Sequence, residues 1–141
     1  DMDNIPGSGA AGGLGTALMV FLNGTLKSGI ETVLDLVDFD EHLKDVDIVV
    51  TGEGATDWQS VFGKVMQGVG VHCKKHHIPA VAIVGSMGSG AEDIFDYGIE
   101  SIITTVNNIM PLSDALNHAE ELYLGAARRM FRLLKAGMQM R

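Results

Sequence analysis

Residues 51–64 bring carboxylates, glycines, an amide, a hydroxyl and a lysine into one short stretch. Glu53 and Asp57 are candidate catalytic groups, because a carboxylate can hold Mg²⁺ or accept the proton of an attacking hydroxyl. Lys64 could place a point charge on a transferring phosphoryl. Gln59 and Ser60 stand at a predicted helix start, whose free N–H groups and positive dipole end suit a phosphate or a carboxylate. Gly52 and Gly54 would let backbone approach a ligand closely. The set suits phosphoryl transfer, with Glu53 and Asp57 as candidate Mg²⁺ ligands. Solvated loop acids and a surface lysine would leave the same pattern.

Other segments carry weaker signals. Gly7, Gly9 and Gly12 form a GxGxxG spacing, with Gly13 beside it. A dinucleotide fingerprint needs a strand immediately before it, and residues 1–6 do not read as one, so a nicotinamide enzyme rests on little. These four glycines could still bring a helix end up to a phosphate. A Walker A loop is absent: Val65 follows Gly63-Lys64, and Trp58 stands where its first glycine belongs. The loop at 85–90, GSMGSG, could cradle an anion on backbone N–H groups or simply turn; it reads as a supporting wall. His72, His76 and His77 lack well-placed partners for zinc and read as the polar end of a helix. Cys73, the single cysteine, reads as a structural thiol.

The elements that must position these groups follow from periodicity. A glycine loop at 7–15 leads into a helix ending near Asn23-Gly24. Ser28 and Glu31 match a capping box for a second helix over 29–37, with Ile30, Val33, Leu34 and Val37 buried. Asp40 can cap a short turn. A β-branched strand over 47–51 closes at Gly52, and 52–60 is a polar loop. Ser60 caps a helix over 61–76, one turn before Lys64. A strand at 80–84, a short helix at 91–97 capped by Gly98 and a strand at 99–106 follow. A long helix at 113–136, capped by Ser113, completes the order, with Leu116, Ala119, Leu122, Tyr123, Ala126, Met130, Leu133 and Leu134 as one apolar face. Alternating strands and helices predict a parallel sheet with right-handed crossovers. Ligands bind such sheets beyond the carboxyl ends of the strands, where 52–60 and 85–90 fall.

The bulk numbers bound the class. With 141 residues, 46% hydrophobic and 20% charged, and a mean hydropathy of +0.20, the chain has the profile of a folded core. Its net charge of −8 argues against nucleic acid, which asks for a basic stripe. The cluster Arg128, Arg129, Arg132, Lys135 and Arg141 fits a helix C-terminus instead. No apolar run reaches membrane-span length, and the polar, acidic opening does not read as a signal peptide. The start at Asp1 suggests a fragment of a longer protein.

Taken together, PGSGAAGGLG, DIVVTGEG, Asp57 with Gln59-Ser60, Gly63-Lys64 with Gly68-Val69, and IPAVAIVGSMGSG resemble the bacterial glycerate kinase family. The resemblance covers essentially the whole chain and corresponds to the C-terminal portion of longer, two-domain proteins. It implies a Rossmann-like or flavodoxin-like α/β domain over 46–141, and residues 1–45 as a helical segment belonging to the neighbouring domain. It implies a cytoplasmic ATP- and Mg²⁺-dependent kinase of glycerate, with the cleft completed by the missing N-terminal part of the same chain, and 1–141 inactive alone. A homodimer is left open. The chain departs from the family pattern at Ala55, where an arginine is usual, and at Met66, where a proline is. Losing that arginine removes a bidentate donor fork. A non-catalytic module binding a small acid or nucleotide on the same fold is the alternative.

Overall fold

The computed structural model describes residues 5, 7–61 and 64–140. Pro6 of the glycine-rich opening, Gly63 of the Gly63-Lys64 pair and Arg141 of the basic cluster lie outside the described residues. Helices α1 (Ala10–Leu22), α2 (Gly29–Leu36) and α3 (Phe39–His42) come first. Then follow β1 (Val49–Thr56), α4 (Val65–Lys75), β2 (Ala80–Met87), β3 (Ile99–Thr104), α5 (Leu112–Asn117) and α6 (Ala119–Gly137). Short 3-10 turns occupy Trp58–Val61 and Ala91–Tyr97. No described helix is long and apolar enough to cross a membrane.

The three strands pair in parallel in the order β1-β2-β3. Central β2 is buried without a break from Ala80 to Val84, the mark of a strand covered on both faces. Ala80, Ala82 and Val84 face one core with Met66, Val69 and Cys73 of α4. Val81 and Ile83 face the other, against Ala126 and Met130 of α6. The α/β class expected from the alternating elements is what forms.

Several boundaries differ from the sequence reading. β1 does not stop at Gly52 but runs on to Thr56, pairing Glu53 with Val84, Ala55 with Ser86 and Thr56 with Met87. Glycine ends a strand when it supplies a turn; here it supplies closeness instead. A Cβ on Gly52 would sit 2.1 Å from the Ile83 carbonyl oxygen, and one on Gly85 2.2 Å from that of Gly54. The long helix expected at 113–136 is two, broken at His118 (φ −109°, ψ 22°). Pro111, not Ser113, occupies the N-cap, and the Ser113 hydroxyl reaches Asp114 instead. Of the apolar face expected on that helix, Leu122, Ala126 and Met130 are buried while Leu116, Tyr123 and Leu133 are exposed. On α2, Leu34 is buried but Val33, and Val37 at its C-cap, are about half exposed.

The capping box is half made. Ser28 Oγ accepts from the Glu31 N–H at 3.5 Å, but the Glu31 carboxylate does not return; it reaches His72 Nε2 at 3.1 Å. Asp40, expected to cap a turn, bridges to α4 instead. Its oxygens meet His72 Nδ1 and the Lys75 ammonium, the latter at 2.8 Å. His76 Nε2 is 3.0 Å from the same carboxylate, without hydrogen-bond geometry. Hydrogen bonds from Lys75 and then His72 hold Asp40 well below the usual carboxylate range. Burial works against a charge on His72, but its hydrogen bonds to Asp40 and Glu31 prevail and raise its pKa. Cys73, fully buried, is pushed up to about 11 by desolvation and then by Asp40, so it is a structural thiol.

This clamp predicts a pH profile. The folded pKa of His72 lies above its ordinary 6.5, so its contribution is complete below 6.5 and is lost as pH rises through the folded value. Urea denaturation between about pH 6 and 9 should show wild type losing more stability than His72→Gln, by a modest amount since the partners are part exposed. Parallel profiles would refute the clamp.

Candidate functional site

Two cavities open along β1, and Glu53 and Gly54 line both. The smaller, about 620 Å³, is bounded by Gly29, Ile30 and Val33 of α2, by Glu53 and Gly54, and by Lys64 and Val65. The larger, about 690 Å³, lies on the α6 side, with Val50, Gly52, Ile83, Gly85, Ser86 and Tyr123 among its lining. Glu53 and Lys64 therefore face one space, as a phosphoryl-transfer reading asks. They arrive there from β1 and from the start of α4. α2 as a wall of this space had no signal in the sequence beyond its amphipathic spacing.

Lys64 is not one turn inside its helix. It is the N-cap residue of α4, with extended backbone (φ −89°, ψ 173°). The helix begins four residues later than periodicity suggests, because Trp58–Val61 forms a separate 3-10 turn. The position gathers positive potential: the lysine charge and the first-turn N–H groups of α4 share one helix end.

Ser60 is not the helix cap. It is fully buried, accepting from the Thr56 hydroxyl at 2.9 Å and from the Asp57 N–H at 3.3 Å. Asp57 Oδ1 accepts the Gln59 N–H at 2.8 Å. Asp57, Gln59 and Ser60 thus tie the turn that leads away from β1, and none lines either cavity. Gly7, Gly9, Gly12 and Gly13 line neither cavity as well. Gly7, Gly12 and Gly13 have positive φ, and so does Ala11 between them; the loop precedes the regular part of α1 and is tied by the Thr16 hydroxyl donating to the Ser8 carbonyl at 2.7 Å.

The second glycine loop is mostly strand and turn. Gly85 and Ser86 belong to β2 and form part of the larger cavity's wall. Gly88 donates its N–H to the Thr56 carbonyl at 2.7 Å. Gly90 has φ +74°, and a Cβ there would meet the Trp58 Cβ at 2.8 Å. Among the described residues no group of three or more His, Cys, Asp and Glu side chains is arranged to hold a metal ion. Mg²⁺ commonly takes one or two carboxylates with substrate phosphates and waters; Glu53, which lines the same cavity as Lys64, fits such a role, whereas one oxygen of Asp57 is already engaged.

The glycines of β1 predict a contrast. Gly52→Ala drives a methyl into β2 backbone and should cost about 1–3 kcal/mol. Gly54→Ala meets nothing within 4 Å and should stay within about 0.5 kcal/mol. Urea midpoints of the two variants measure this; equal losses would refute the close approach.

The sequence profile of the glycerate kinase family matches residues 1–135. A glycerate kinase of Halalkalibacterium halodurans is 43% identical over 92% of this chain and 34% of its own length. The glycerate 2-kinase of Escherichia coli is 40% identical over 99% of this chain and 36% of its own. A solved structure described as glycerate kinase 2 from Salmonella typhimurium LT2 superposes with a TM-score of 0.71 at 38% identity, covering 95% of this chain and 34% of that one. The chain spans about a third of the length of these relatives. It belongs to the glycerate kinase family.

Proposed function

We propose that the protein containing this chain transfers the γ-phosphoryl of ATP to a hydroxyl of glycerate, and that residues 1–141 supply one side of the cleft. The observation that carries this reading is Glu53 and Lys64 lining one cavity beside the carboxyl half of a parallel strand. Lys64 stabilises the charge of the transferring phosphoryl, and the first turn of α4 adds N–H groups aimed the same way. Glu53 takes the proton of the attacking hydroxyl or holds Mg²⁺. When bound, Mg²⁺ neutralises phosphate charge. Gly54 leaves the strand edge open to a ligand, since nothing lies within 4 Å of where its Cβ would be.

The remaining residues proposed for the site act at one remove. Asp57, Gln59 and Ser60 fix the turn between β1 and α4 and so set where Lys64 stands. The glycines at 7, 9, 12 and 13 belong to a segment whose place in the cleft depends on the rest of the protein. We divide the chain into an α/β domain over 46–141 and an N-terminal helical segment, 1–45, leading from a neighbouring domain, with α2 and α3 seated against α4. A cytoplasmic setting, where ATP is made and used, suits this chemistry. One observation favours a second reading. Ala55, beside Gly54, stands where the family resemblance expects arginine, and a site short of that guanidinium could bind a small acid without turning it over.

A coupled assay of ADP release on the full-length protein with glycerate tests the leading reading. Lys64→Ala should lower kcat by roughly 10²-fold or more, the scale of removing one charge-stabilising donor. Wild-type turnover no higher than that of the variant would overturn the kinase reading. Calorimetric binding of glycerate without ATP or Mg²⁺, together with no turnover, would establish the binding module instead.

A further inference from the structure

Two donors compete for Glu31. Its spacing from Ser28 is that of a capping box, in which the glutamate returns to the N–H of the N-cap residue. Only the forward half of that box is made, at 3.5 Å. The carboxylate instead crosses to α4 and meets His72 Nε2 at 3.1 Å.

His72 serves two carboxylates at once, Asp40 of α3 through Nδ1 and Glu31 of α2 through Nε2. Only the imidazolium carries a proton on both nitrogens; the neutral ring donates from one and presents a lone pair at the other. Loss of the proton therefore cancels one of the two bonds. The Asp40 contact is the closer one, and the Asp40 side chain is 33% exposed against 50% for Glu31. Glu31 is the partner that water and the Ser28 N–H can satisfy instead, so Glu31 lets go. The remaining charged groups around His72 leave this ranking in place. Asp35 of α2, Asp38 at the start of α3 and Glu41 line a small cleft with it, and Glu41 is paired with Lys44. From α4 itself the Lys75 ammonium, with His76 beside it, stays on the other oxygen of Asp40.

The tie matters because of what stands next to it. Ile30 and Val33 form the apolar wall of the cavity lined by Lys64 and Glu53. Ile30 lies against Gly68, where a Cβ would meet its Cγ1 at 2.4 Å. The Gly68 N–H donates to the Lys64 carbonyl at 3.1 Å, so this contact is one helical turn from the lysine. Leu34 is buried in the core, which keeps the far end of α2 seated and confines any movement to its first turn.

We propose that Glu31 is a pH-sensitive latch on this wall. With His72 protonated, it ties the first turn of α2 to α4. With His72 neutral, it returns to the Ser28 N–H, closes the capping box and lets Ile30 draw away from Gly68. The raised pKa of His72 puts the change above pH 6.5, with the latch closed on the acid side. The latch rests on the geometry of α2, α3 and α4, not on the kinase reading, and its contacts are measured without turnover, so the two fail separately.

The test uses the full-length protein with labelled isoleucine methyls, the Ile30 signal being identified by Ile30→Val. Between about pH 6 and 9 that methyl should titrate with one inflection in wild type and stay flat in His72→Gln and in Glu31→Ala. A flat wild-type curve, or a curve unchanged in Glu31→Ala, would overturn the proposal. Amide exchange gives a second readout. Protection of the Ser28 N–H, relative to an unstructured amide at the same pH, should rise ~2–5-fold across this range in wild type, the scale of an exposed ion pair, and stay constant in His72→Gln. Wild-type protection that is constant or falls would also overturn it.

Discussion

The close approach of β1 and β2 is the constraint on which the rest of this structure depends. Backbone hydrogen bonds set the spacing of paired strands, and side chains stand off the two faces. At Gly52 and Gly85 any Cβ would strike the Ile83 and Gly54 carbonyls of the neighbouring strand. The ladder therefore continues past the point where an ordinary strand would have turned. That continuation carries Glu53 out to the rim as part of a hydrogen-bonded strand. A carboxylate on a strand is held more precisely than one on a loop, which matters for a group proposed to meet a reacting hydroxyl or a metal.

α4 is the second fixed piece, and it too is seated through glycine. A Cβ on Gly70 would strike the Tyr97 carbonyl at 2.5 Å, and one on Gly98 the Gly70 carbonyl at 2.3 Å. The helix thus lies close against the turn that follows β2. Its buried residues Met66, Val69 and Cys73 fill the core beneath it. His72 on its outer side ties α2 and α3 to this base through Glu31 and Asp40. The wall opposite Lys64, made of Ile30 and Val33, is therefore set by an electrostatic contact some distance from it. Changing that contact would alter the shape of the cavity without touching either charged group inside it.

The sequence made the order of elements legible because β-branched runs bounded by glycine or proline recur with helical spacing between them. It also pointed to Glu53 and Lys64 together. What it could not show was governed by contacts between distant segments. Whether Gly52 ends a strand or lets another strand come near depends on β2, 31 residues on in the register. Ser60 has the right type for a helix cap, but its hydroxyl is taken by Thr56 and the Asp57 N–H. Asp40 and His72 are 32 residues apart, and no local rule pairs them. The break at His118 divides a continuous apolar pattern that periodicity alone reads as one helix.

The exposed apolar positions have a common physical origin. Leu116, Tyr123 and Val33 were expected to be buried from their spacing, and spacing correctly identified them as positions that need cover. Periodicity reports which face of an element is apolar; it does not report which neighbour lies against it. On α4, β2 and the inner face of α6 that neighbour is within residues 1–141, and burial follows. On Val50, Tyr123 and the outer side of α2 it is not among the described residues, although the same amphipathic logic holds. The two kinds of position border one another at Glu53, the residue shared by both cavities. The edge proposed for the chemistry is thus also the edge at which the packing of the described residues is incomplete, so the same contacts that finish the hydrophobic core would set the polarity around the carboxylate.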